Sequence, residues 1–309
     1  MADPKYRLIT RSDFDGLVCA VLFKELDLID DIKFVHPKDM QDGKVEVTER
    51  DITTNLPYVA GVHLCFDHHA SETTRNDVHF NHVIHPDAAS AARVVFEHYG
   101  GTDKFGERFN EMMLAVDKGD SAQFSRDEIL DPQGWVLLNF LMDSRTGLGR
   151  FREFRVSNYH LMLDLIEYCR SHGIEDILAL PDVVERVALY HEHATLAKAQ
   201  LQRCTTVHGK VLVLDLRSEE TIYAVNRFMV YALFPETNIS IHVLWGVQKQ
   251  NTVFAVGKSI IDRSCKVDIG ELMLEYNGGG HANAGTCQIA NEQAATILPE
   301  LVARISAVA

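Results

Sequence analysis

The first half of the chain alternates strand-like and helix-like segments, and this feature constrains the fold more than any other. Short apolar runs predict strands, and longer stretches with apolar residues at helical spacing predict helices. The predicted strands are 6–11, 32–36, 44–50 and 61–66, and the predicted helices are 16–28, 89–99 and 105–116. Such alternation predicts an α/β fold with a parallel sheet covered by helices, in which ligands gather at the carboxyl ends of the strands.

The remaining chain predicts a second domain. A helix-rich stretch from about 135 to 170 is followed by one long amphipathic helix, predicted at 182–204 and ended by a turn at 205–210. Further strands are predicted at 211–216, 239–245 and 252–256, and further helices at 219–234 and 267–276. Because single cores usually stop growing near this length, we expect a first domain over 1–181, a connector helix over 182–209 and a smaller mixed α/β domain over 210–309.

Charge and cysteine usage exclude some classes of function. The net charge of -14 argues against a broad surface for long duplex nucleic acid, which would be basic, but is compatible with a short phosphorylated substrate. The six cysteines form no CxxC pair, which is typical of reduced, buried thiols in a cytoplasmic protein. We expect no signal peptide and no membrane span, because the N-terminal segment has no apolar core and no apolar run is long enough to cross a bilayer.

The first acidic motif, Asp13-Phe14-Asp15-Gly16, directly follows the first predicted strand. Two carboxylates separated by one residue at a strand end can point into the same crevice, and the glycine allows a tight turn into the helix. Because close carboxylates repel unless a cation neutralises them, the motif favours a metal site. The alternative is a solvated turn whose aspartates cap the helix.

A second motif, Asp67-His68-His69, directly follows the apolar strand predicted at 61–66. Imidazole combined with carboxylate suits manganese, iron or zinc better than calcium. The alternative is a polar loop with incidental histidines, since the chain has 15. A triplet of ligand-type side chains at a strand end favours the metal site.

Three further aspartates lie at the ends of predicted elements. Asp51 follows the strand predicted at 44–50, and Asp117 and Asp120 follow the helix predicted at 105–116. Each alone is weak evidence, because a surface aspartate is common. Together, these element ends deliver the acidic and imidazole groups that a two-metal hydrolase needs.

A glycine-rich segment near the C-terminus, Gly278-Gly279-Gly280-His281, is expected to form a loop. Successive glycines let backbone N–H groups approach an anion, and the histidine can hydrogen-bond or protonate a phosphate oxygen. The alternative is a flexible turn.

Two basic features are candidates for binding phosphate, because arginine forks suit its oxygens. One comprises Lys258, Ser259 and Arg263, and the other is a run of four arginines at 145, 150, 152 and 155. The alternative for the arginine run is a solvated helix face or a network of ion pairs.

The chain resembles the DHH phosphoesterases in the order of its motif residues: Asp13, Asp15, Gly16, Asp51, Asp67, His68, His69 and Asp120. The glycine-rich segment resembles that of the DHH-associated C-terminal domain. The resemblance covers essentially the whole chain. It is strongest to short, stand-alone members described as exopolyphosphatase-related proteins or as nano-RNases, and relatives include RecJ-like exonucleases and family II inorganic pyrophosphatases.

The resemblance implies a parallel-sheet DHH domain, a helical connector and a smaller mixed α/β domain across a cleft. It also implies one or two manganese (or magnesium) ions, bound by Asp13, Asp15, Asp51, His68 and Asp120. Asp120 is preferred to Asp117 because Asp120-Ser121-x-x-Phe124 resembles the family's Asp-Thr-x-x-Phe.

Further site roles combine the resemblance with the basic features described above. The catalytic residues are predicted to be Asp67, His68, His69 and His281. The predicted contacts with substrate are Arg11, His69, Lys258, Ser259, Arg263, Gly278, Gly279, Gly280 and His281, with the glycine-rich segment holding the terminal phosphate or nucleotide.

Arg11 departs from the family pattern. Many members carry a histidine two residues before the first motif aspartate, and arginine cannot replace it as a ligand because it stays protonated. A first metal site is therefore expected to be weaker, filled by water or empty, or else Arg11 contacts a phosphate directly.

Three functions compete at this point. The leading one is manganese-dependent hydrolysis of a phosphodiester in a short oligonucleotide, dinucleotide or nucleotide bisphosphate. The second is hydrolysis of phosphoanhydrides, as in an exopolyphosphatase or pyrophosphatase. The third is a nucleotide-binding regulator with little catalysis. The identity of the substrate, the polarity of cleavage and the oligomeric state stay open, with a homodimer as one alternative.

Overall fold

The structure is a computed structural model that describes residues 5–69, 72–73, 77–151 and 153–308. Contacts divide the chain into two units. The first contains residues 1–124 and 132–188, and the second contains residues 125–131 and 189–309. The predicted three-part division of the chain did not anticipate that 125–131 joins the second unit, and it stays a prediction.

The first unit contains a parallel sheet with the strand order β2-β1-β3-β4-β5. Its strands are β1 (Tyr6–Arg11), β2 (Ile29–Val35), β3 (Asp51–Thr54), β4 (Leu64–Asp67) and β5 (His82–Ile84). The parallel sheet predicted for this half of the chain is therefore confirmed. Since parallel strands share one carboxyl edge, residues that follow β1, β3 and β4 are delivered to the same side of the sheet.

The first unit also contains helices along and between these strands. They are α1 (Phe14–Glu25), α2 (Pro37–Gln41), α3 (Ala91–His98), α4 (Gly101–Phe105), α5 (Asn110–Asp120), α7 (Gly134–Met142), α8 (Asn158–Tyr168) and α9 (Ile174–Leu178). Short 3₁₀ turns lie at Glu107–Phe109, Ser144–Thr146 and Leu148–Arg150. Between α5 and α7, helix α6 (Arg126–Leu130) belongs to the second unit.

Helix α1 begins immediately after β1, and this tight passage depends on two residues of the first motif. Asp13 is the N-cap, and its carboxylate accepts a hydrogen bond from Gly16 N–H at 3.0 Å. A Cβ at Gly16 would lie 1.9 Å from the carbonyl oxygen of Arg11, so only glycine fits this close approach. Every residue of α1 from Phe14 to Phe23 is buried, so the helix anchors the motif to the core.

The second unit contains a mixed sheet with the strand order β10-β11-β9-β8-β7-β6, in which only the β7–β8 pair is parallel. Its strands are β6 (Thr205–His208), β7 (Val211–Asp215), β8 (Ile239–Trp245), β9 (Thr252–Lys258), β10 (Gly279–His281) and β11 (Ala284–Ile289). Its remaining helices are α11 (Met229–Leu233), α12 (Ile269–Leu274) and α13 (Asn291–Ser306), with a 3₁₀ turn at Val247–Lys249. The expected second mixed α/β region is confirmed.

One buried cluster of the second unit packs on one face of its sheet. Alternate residues of β8, namely Ile239, Ile241 and Val243, are fully buried there. Ile269 and Met273 of α12 and Leu301 and Ile305 of α13 belong to the same buried cluster. The long helix α10 (Pro181–Cys204) agrees with the helix predicted at 182–204, and the division between the two units falls within it, after Ala188.

Several predicted elements were wrong. Residues 44–50 do not form a strand, and the strand begins at Asp51 instead. The segment 205–210 was predicted as a turn, but Thr205–His208 pairs with β7 as an antiparallel strand. Of the helix predicted at 219–234, only α11 forms. In the described part of the chain, every helix is too short or too polar to span a lipid bilayer.

Candidate metal centre

Three polar side chains lie at the carboxyl edge of the parallel sheet. Asp13 follows β1, Asn55 follows β3, and Asp67 is the last residue of β4. Asn55 N–H donates to the carbonyl of Phe66, so Asn55 and Asp67 leave the sheet side by side. Asn55 is 2% exposed and Asp67 is fully buried. This edge therefore collects ligand-type oxygen atoms in a place with little water.

A cluster of Asp15, His68 and Asp120 is the first candidate for a cation site. One ligand atom from each lies within 4.8 Å of the other two. The carboxylate of Asp15 is held at the N-terminus of α3, where it accepts hydrogen bonds from Ala91 N–H at 3.0 Å and Ala92 N–H at 2.8 Å. Each bond uses one lone pair, so the carboxylate keeps others for a cation.

The protonation of this cluster reflects crowded negative charge. Burial, together with the neighbouring Asp120, raises the pKa of Asp15 to about 8. Burial alone would lower the pKa of His68, but the neighbouring Asp120 outweighs it and raises the pKa to about 9. Asp120 contributes to both shifts, and a divalent cation would neutralise its charge.

Unsatisfied atoms support the fit to a cation. His68 Nε2 lies 3.0 Å from Asp120 Oδ2, yet the two do not form a hydrogen bond of good geometry. Asp67 Oδ2 and Asn55 Oδ1 are also buried and lack a hydrogen-bond partner among the described residues. Since buried polar atoms are almost always satisfied, the unsatisfied state of His68 Nε2 fits a site built for an ion.

His69 is oriented by Asp67. His69 Nδ1 lies 2.7 Å from Asp67 Oδ1, and the same oxygen accepts the backbone N–H of His68 at 2.8 Å. Burial lowers the pKa of His69, but Asp67 outweighs it and raises the pKa above the ordinary value. About a third of the His69 side chain is exposed, so it can reach a ligand beside the cluster.

The structure contradicts the prediction that Asp51 is a metal ligand. Asp51 begins β3, where it pairs with Arg7 near the start of β1, so it lies at the opposite edge of the sheet from Asp13. Its carboxylate accepts hydrogen bonds from Arg7 Nε at 2.7 Å and from Thr48 N–H at 2.6 Å. The residue that leaves β3 at the carboxyl edge is Asn55.

Asp117 and Asp120 differ in their partners, and the difference favours Asp120 as the ligand. Asp120 ends α5 and lies against His68. Asp117 lies one turn earlier and accepts hydrogen bonds from Ser90 Oγ at 2.7 Å and from Arg93 at 2.6 Å. Asp117 therefore stabilises the contact between α3 and α5.

Arg11 forms an ion pair with Asp13, with Arg11 Nε 2.9 Å from Asp13 Oδ2. Burial raises the pKa of Asp13, although Arg11 opposes this shift. In the arginine run, Arg145 bonds Asp143 at 2.7 Å and also lies close enough to Asp13 and Asp120 for both to raise its pKa, against the lowering effect of burial. Arg145 is therefore the member of the run that interacts with the carboxylates of the site.

The rest of the arginine run divides between structure and surface. Arg155 is exposed and pairs with Asp182 at 2.6 Å, as the ion-pair interpretation expects. Burial lowers the pKa of Arg150. Arg152 lies outside the described residues.

The remaining predicted substrate contacts belong to the second unit. The predicted glycine loop is in fact strand β10, paired with β11. Its outer glycines have a packing role: a Cβ at Gly278 would lie 2.2 Å from Thr286 O, and one at Gly280 would lie 2.3 Å from Ala284 O. A Cβ at Gly279 would meet nothing within 4 Å, and His281 is exposed.

The basic segment before this hairpin, formed by Lys258, Ser259 and Arg263, combines exposed and buried residues. Lys258 is the last residue of β9, and Arg263 is exposed. Ser259 is 3% exposed, and its hydroxyl accepts hydrogen bonds from the N–H groups of Ile261 and Asp262. These bonds give Ser259 a role in the local turn, in place of the predicted contact with substrate.

Asn55 is the site residue that sequence reasoning missed. Its amide carries no charge, and it follows a segment, Asp51–Thr54, that was not predicted to be a strand. The available signal was the short β-branched run Ile52-Thr53-Thr54 with a polar residue directly after it.

The fold and the cluster define the class of this protein: it belongs to the DHH family of phosphoesterases. The chain is 64% identical to the solved structure of the pGpG-specific phosphodiesterase PggH from Vibrio cholerae, over 99% of this chain and 100% of that chain, with a TM-score of 0.88. No family model matches the chain. No curated protein matches it either.

More distant structures share the fold. RecJ from Thermus thermophilus, solved in complex with Mn²⁺, is 15% identical with a TM-score of 0.56, over 97% of this chain and 52% of that chain. CDC45 from Entamoeba histolytica is 9% identical with a TM-score of 0.53, over 98% of this chain and 95% of that chain. At these identities, the likeness shows the fold alone.

Proposed function

We propose that this protein is a metal-dependent phosphodiesterase that hydrolyses short oligonucleotides or dinucleotides to mononucleotides, with pGpG as its substrate. One observation carries the proposal: the Asp15, His68 and Asp120 cluster lies in a chain that is 64% identical, over its full length, to a pGpG-specific phosphodiesterase. The full-length match extends to the second unit, so it covers the predicted substrate contacts as well as the cluster.

Manganese or magnesium is the proposed ion, held by Asp15, His68 and Asp120. When bound, the ion polarises the phosphoryl group and lowers the pKa of a coordinated water. Carboxylate oxygens suit both magnesium and manganese, and the imidazole of His68 favours manganese. The N-terminus of α3 fixes Asp15 through two backbone hydrogen bonds, so the ligand is oriented before the ion arrives.

The chain's own side chains have distinct proposed roles around the scissile phosphate. Asp67 holds the His69 ring through Nδ1, which leaves the exposed side of the ring to contact a phosphate oxygen. Arg145 lies near Asp13 and Asp120 and supplies a guanidinium to balance charge on the substrate. Both groups orient the phosphate before reaction.

The second unit is proposed to contribute groups that bind a phosphate or nucleotide. Gly279 offers open space above the hairpin, and His281 and Arg263 are exposed donors in the same unit. These residues suit a terminal phosphate or nucleotide. Location in the cytoplasm and assembly as a homodimer stay predictions.

The test is hydrolysis of a panel of substrates by the purified protein with added MnCl₂. The panel contains pGpG, a second 5′-phosphorylated dinucleotide, a nucleotide 3′,5′-bisphosphate, pyrophosphate and polyphosphate. We expect mononucleotide from pGpG, fastest of all, and loss of this activity in His68→Ala. Release of orthophosphate from polyphosphate or pyrophosphate alone would replace the proposal with phosphoanhydride hydrolysis, and nucleotide binding without turnover would replace it with a regulator.

A further inference from the structure

Asp13 is surrounded by hydrogen-bond donors at both of its oxygen atoms. Oδ2 faces Arg11 Nε at 2.9 Å. Oδ1 accepts the N–H of Gly16 at 3.0 Å and the side-chain amide of Asn55 at 3.3 Å. A cation that approached Asp13 would meet these positive ends of dipoles and a full positive charge, so the surroundings of Asp13 disfavour a metal ion.

Asp15, two residues later, has different surroundings. Its two donors are neutral backbone N–H groups of α3, and its carboxylate faces ligand atoms of His68 and Asp120 within 4.8 Å. A second group of metal-capable atoms among the described residues, Asp67, His68 and His69, shares His68 with the first, and Asp13 is in neither group. The two carboxylates of the first motif therefore have separate tasks.

Charge leads to the same conclusion. The guanidinium of Arg11 is always protonated, and with Asp13 it forms a pair of zero net charge. Asn55, which leaves β3 beside Asp67, is neutral where a carboxylate would add a negative charge. A second divalent ion next to Asp13 would add two positive charges, and neither Arg11 nor Asn55 offers a carboxylate to balance them.

We propose that this protein binds one divalent cation per chain, at Asp15, His68 and Asp120, and that Arg11 and Asn55 exclude a second ion by holding Asp13. The proposal rests on the metal-dependent function proposed above. The guanidinium of Arg11 provides a permanent positive charge beside Asp13. In a two-ion site, the second metal ion would provide this charge. Arg11 and Asn55 are therefore positioning residues for Asp13.

The experiment is a count of bound ions. The full-length protein, stripped with a chelator, is dialysed against excess MnCl₂, and bound manganese is measured by elemental analysis and by electron paramagnetic resonance. We expect at most one bound Mn²⁺ ion per chain, with the paramagnetic resonance spectrum of an isolated Mn²⁺ ion. Two ions per chain with an exchange-coupled signal would overturn this proposal and leave the proposed phosphodiesterase activity standing. No bound ion would overturn the proposed metal dependence as well.

Two variants test the assigned residues. The double variant Arg11→His/Asn55→Asp replaces the guanidinium with an imidazole and the amide with a carboxylate, both of which can bind a metal ion. The maximum number of bound Mn²⁺ ions should therefore rise to two per chain. The single variant Asn55→Asp is nearly isosteric and keeps Arg11, so it should still bind at most one Mn²⁺ ion per chain. A double variant that folds, by its circular dichroism spectrum, but still binds one ion would show that Arg11 and Asn55 are not the cause of exclusion. A second ion in Asn55→Asp would remove Arg11 from the explanation.

Discussion

At the scale of single residues, the partner of each aspartate decides what its substitution does. Asp120 lies against His68, whereas Asp117, three residues earlier in α5, is bound by Ser90 and Arg93. Asp51 is 1% exposed and bound by Arg7 and Thr48 at the other edge of the sheet. Aspartates that look equivalent in the sequence thus separate into one at the cation site and two that stabilise packing.

Asp120→Asn should weaken Mn²⁺ binding by at least about 100-fold, because the loss of a ligand exceeds the effects seen for outer partners of metal ligands. The matched control is Asp117→Asn, which keeps the cluster and should change Mn²⁺ affinity by less than about 3-fold while costing about 1 kcal/mol of stability. Isothermal titration with MnCl₂ measures both. Equal losses in the two variants would mean that Asp120 is not a ligand.

Asp51→Asn should lower stability without changing Mn²⁺ affinity. Burial would raise the pKa of Asp51, but the hydrogen bonds from Arg7 and Thr48 outweigh it and lower the pKa below 3.8. A carboxylate with a lowered pKa in the folded state contributes stability above its unfolded pKa, and this contribution disappears as the pH falls through the folded pKa. We expect a loss of about 2 kcal/mol at pH 7, measured by urea unfolding.

The same unfolding experiments at lower pH give the control for Asp51. The difference between the wild type and Asp51→Asn should begin to shrink below the unfolded pKa of about 4 and should vanish as the pH falls through the lowered folded pKa of Asp51. A difference that stayed constant with pH would assign the loss to packing rather than to the Arg7 ion pair.

Much of the residue-level site could be predicted from sequence, and the error has a physical cause. Asp13, Asp15, Asp67 and His68 were placed just after strands because the segments 6–11 and 61–66 were correctly predicted as strands. Asp51 was misplaced because residues 44–50 alternate valines with polar residues, which imitates the period of a half-buried strand. The actual strand is four residues long and buried throughout, so it lacks that alternation.

At the scale of elements, β10 shows why the glycine-rich segment has its composition. Gly278 and Gly280 pack against backbone atoms of β11, whereas Gly279 has open space. The segment was predicted to be a loop whose successive glycines let backbone N–H groups approach an anion. Pairing with β11 was not visible in the sequence, since it depends on a neighbouring strand that leaves no room for a side chain at Gly278 or Gly280.

Gly278→Ala should destabilise the protein by about 1–3 kcal/mol, because the added methyl group overlaps backbone that cannot move easily. Gly279→Ala is the matched control, and its free energy of unfolding should differ from that of the wild type by no more than about 0.5 kcal/mol. If the hairpin binds substrate as proposed, Gly279→Ala should also raise KM for pGpG. An unchanged KM would remove this position from the substrate contacts.

The helix predicted at 219–234 is shorter than expected for a different reason. Side chains of α10 satisfy the backbone there: Gln200 bonds Thr221 O and Tyr223 N–H, and His193 Nδ1 accepts Ala224 N–H at 3.1 Å. Backbone groups satisfied in this way do not need helical hydrogen bonds. These contacts span 21 to 31 residues of sequence, so a local pattern cannot predict them.

At the scale of the whole molecule, an ion that binds only the folded chain must stabilise it. The Asp15, His68 and Asp120 cluster joins groups from α1, the segment after β4 and α5, which come together only on folding. MnCl₂ at about 100 times its dissociation constant should therefore add about 2.7 kcal/mol to the free energy of unfolding. Thermal unfolding with and without the ion measures this, and Asp120→Asn should lose most of the shift. If the ion stabilised the wild type and Asp120→Asn equally, the ion would bind somewhere other than this cluster.

The most direct test of the central claim is turnover of pGpG by the chelator-stripped protein before and after MnCl₂ is added back. The account predicts no turnover in the stripped protein, restored release of mononucleotide on adding the ion, and no restoration in His68→Ala. Turnover that is independent of the ion, or equal in His68→Ala, would contradict a phosphodiesterase centred on this cluster.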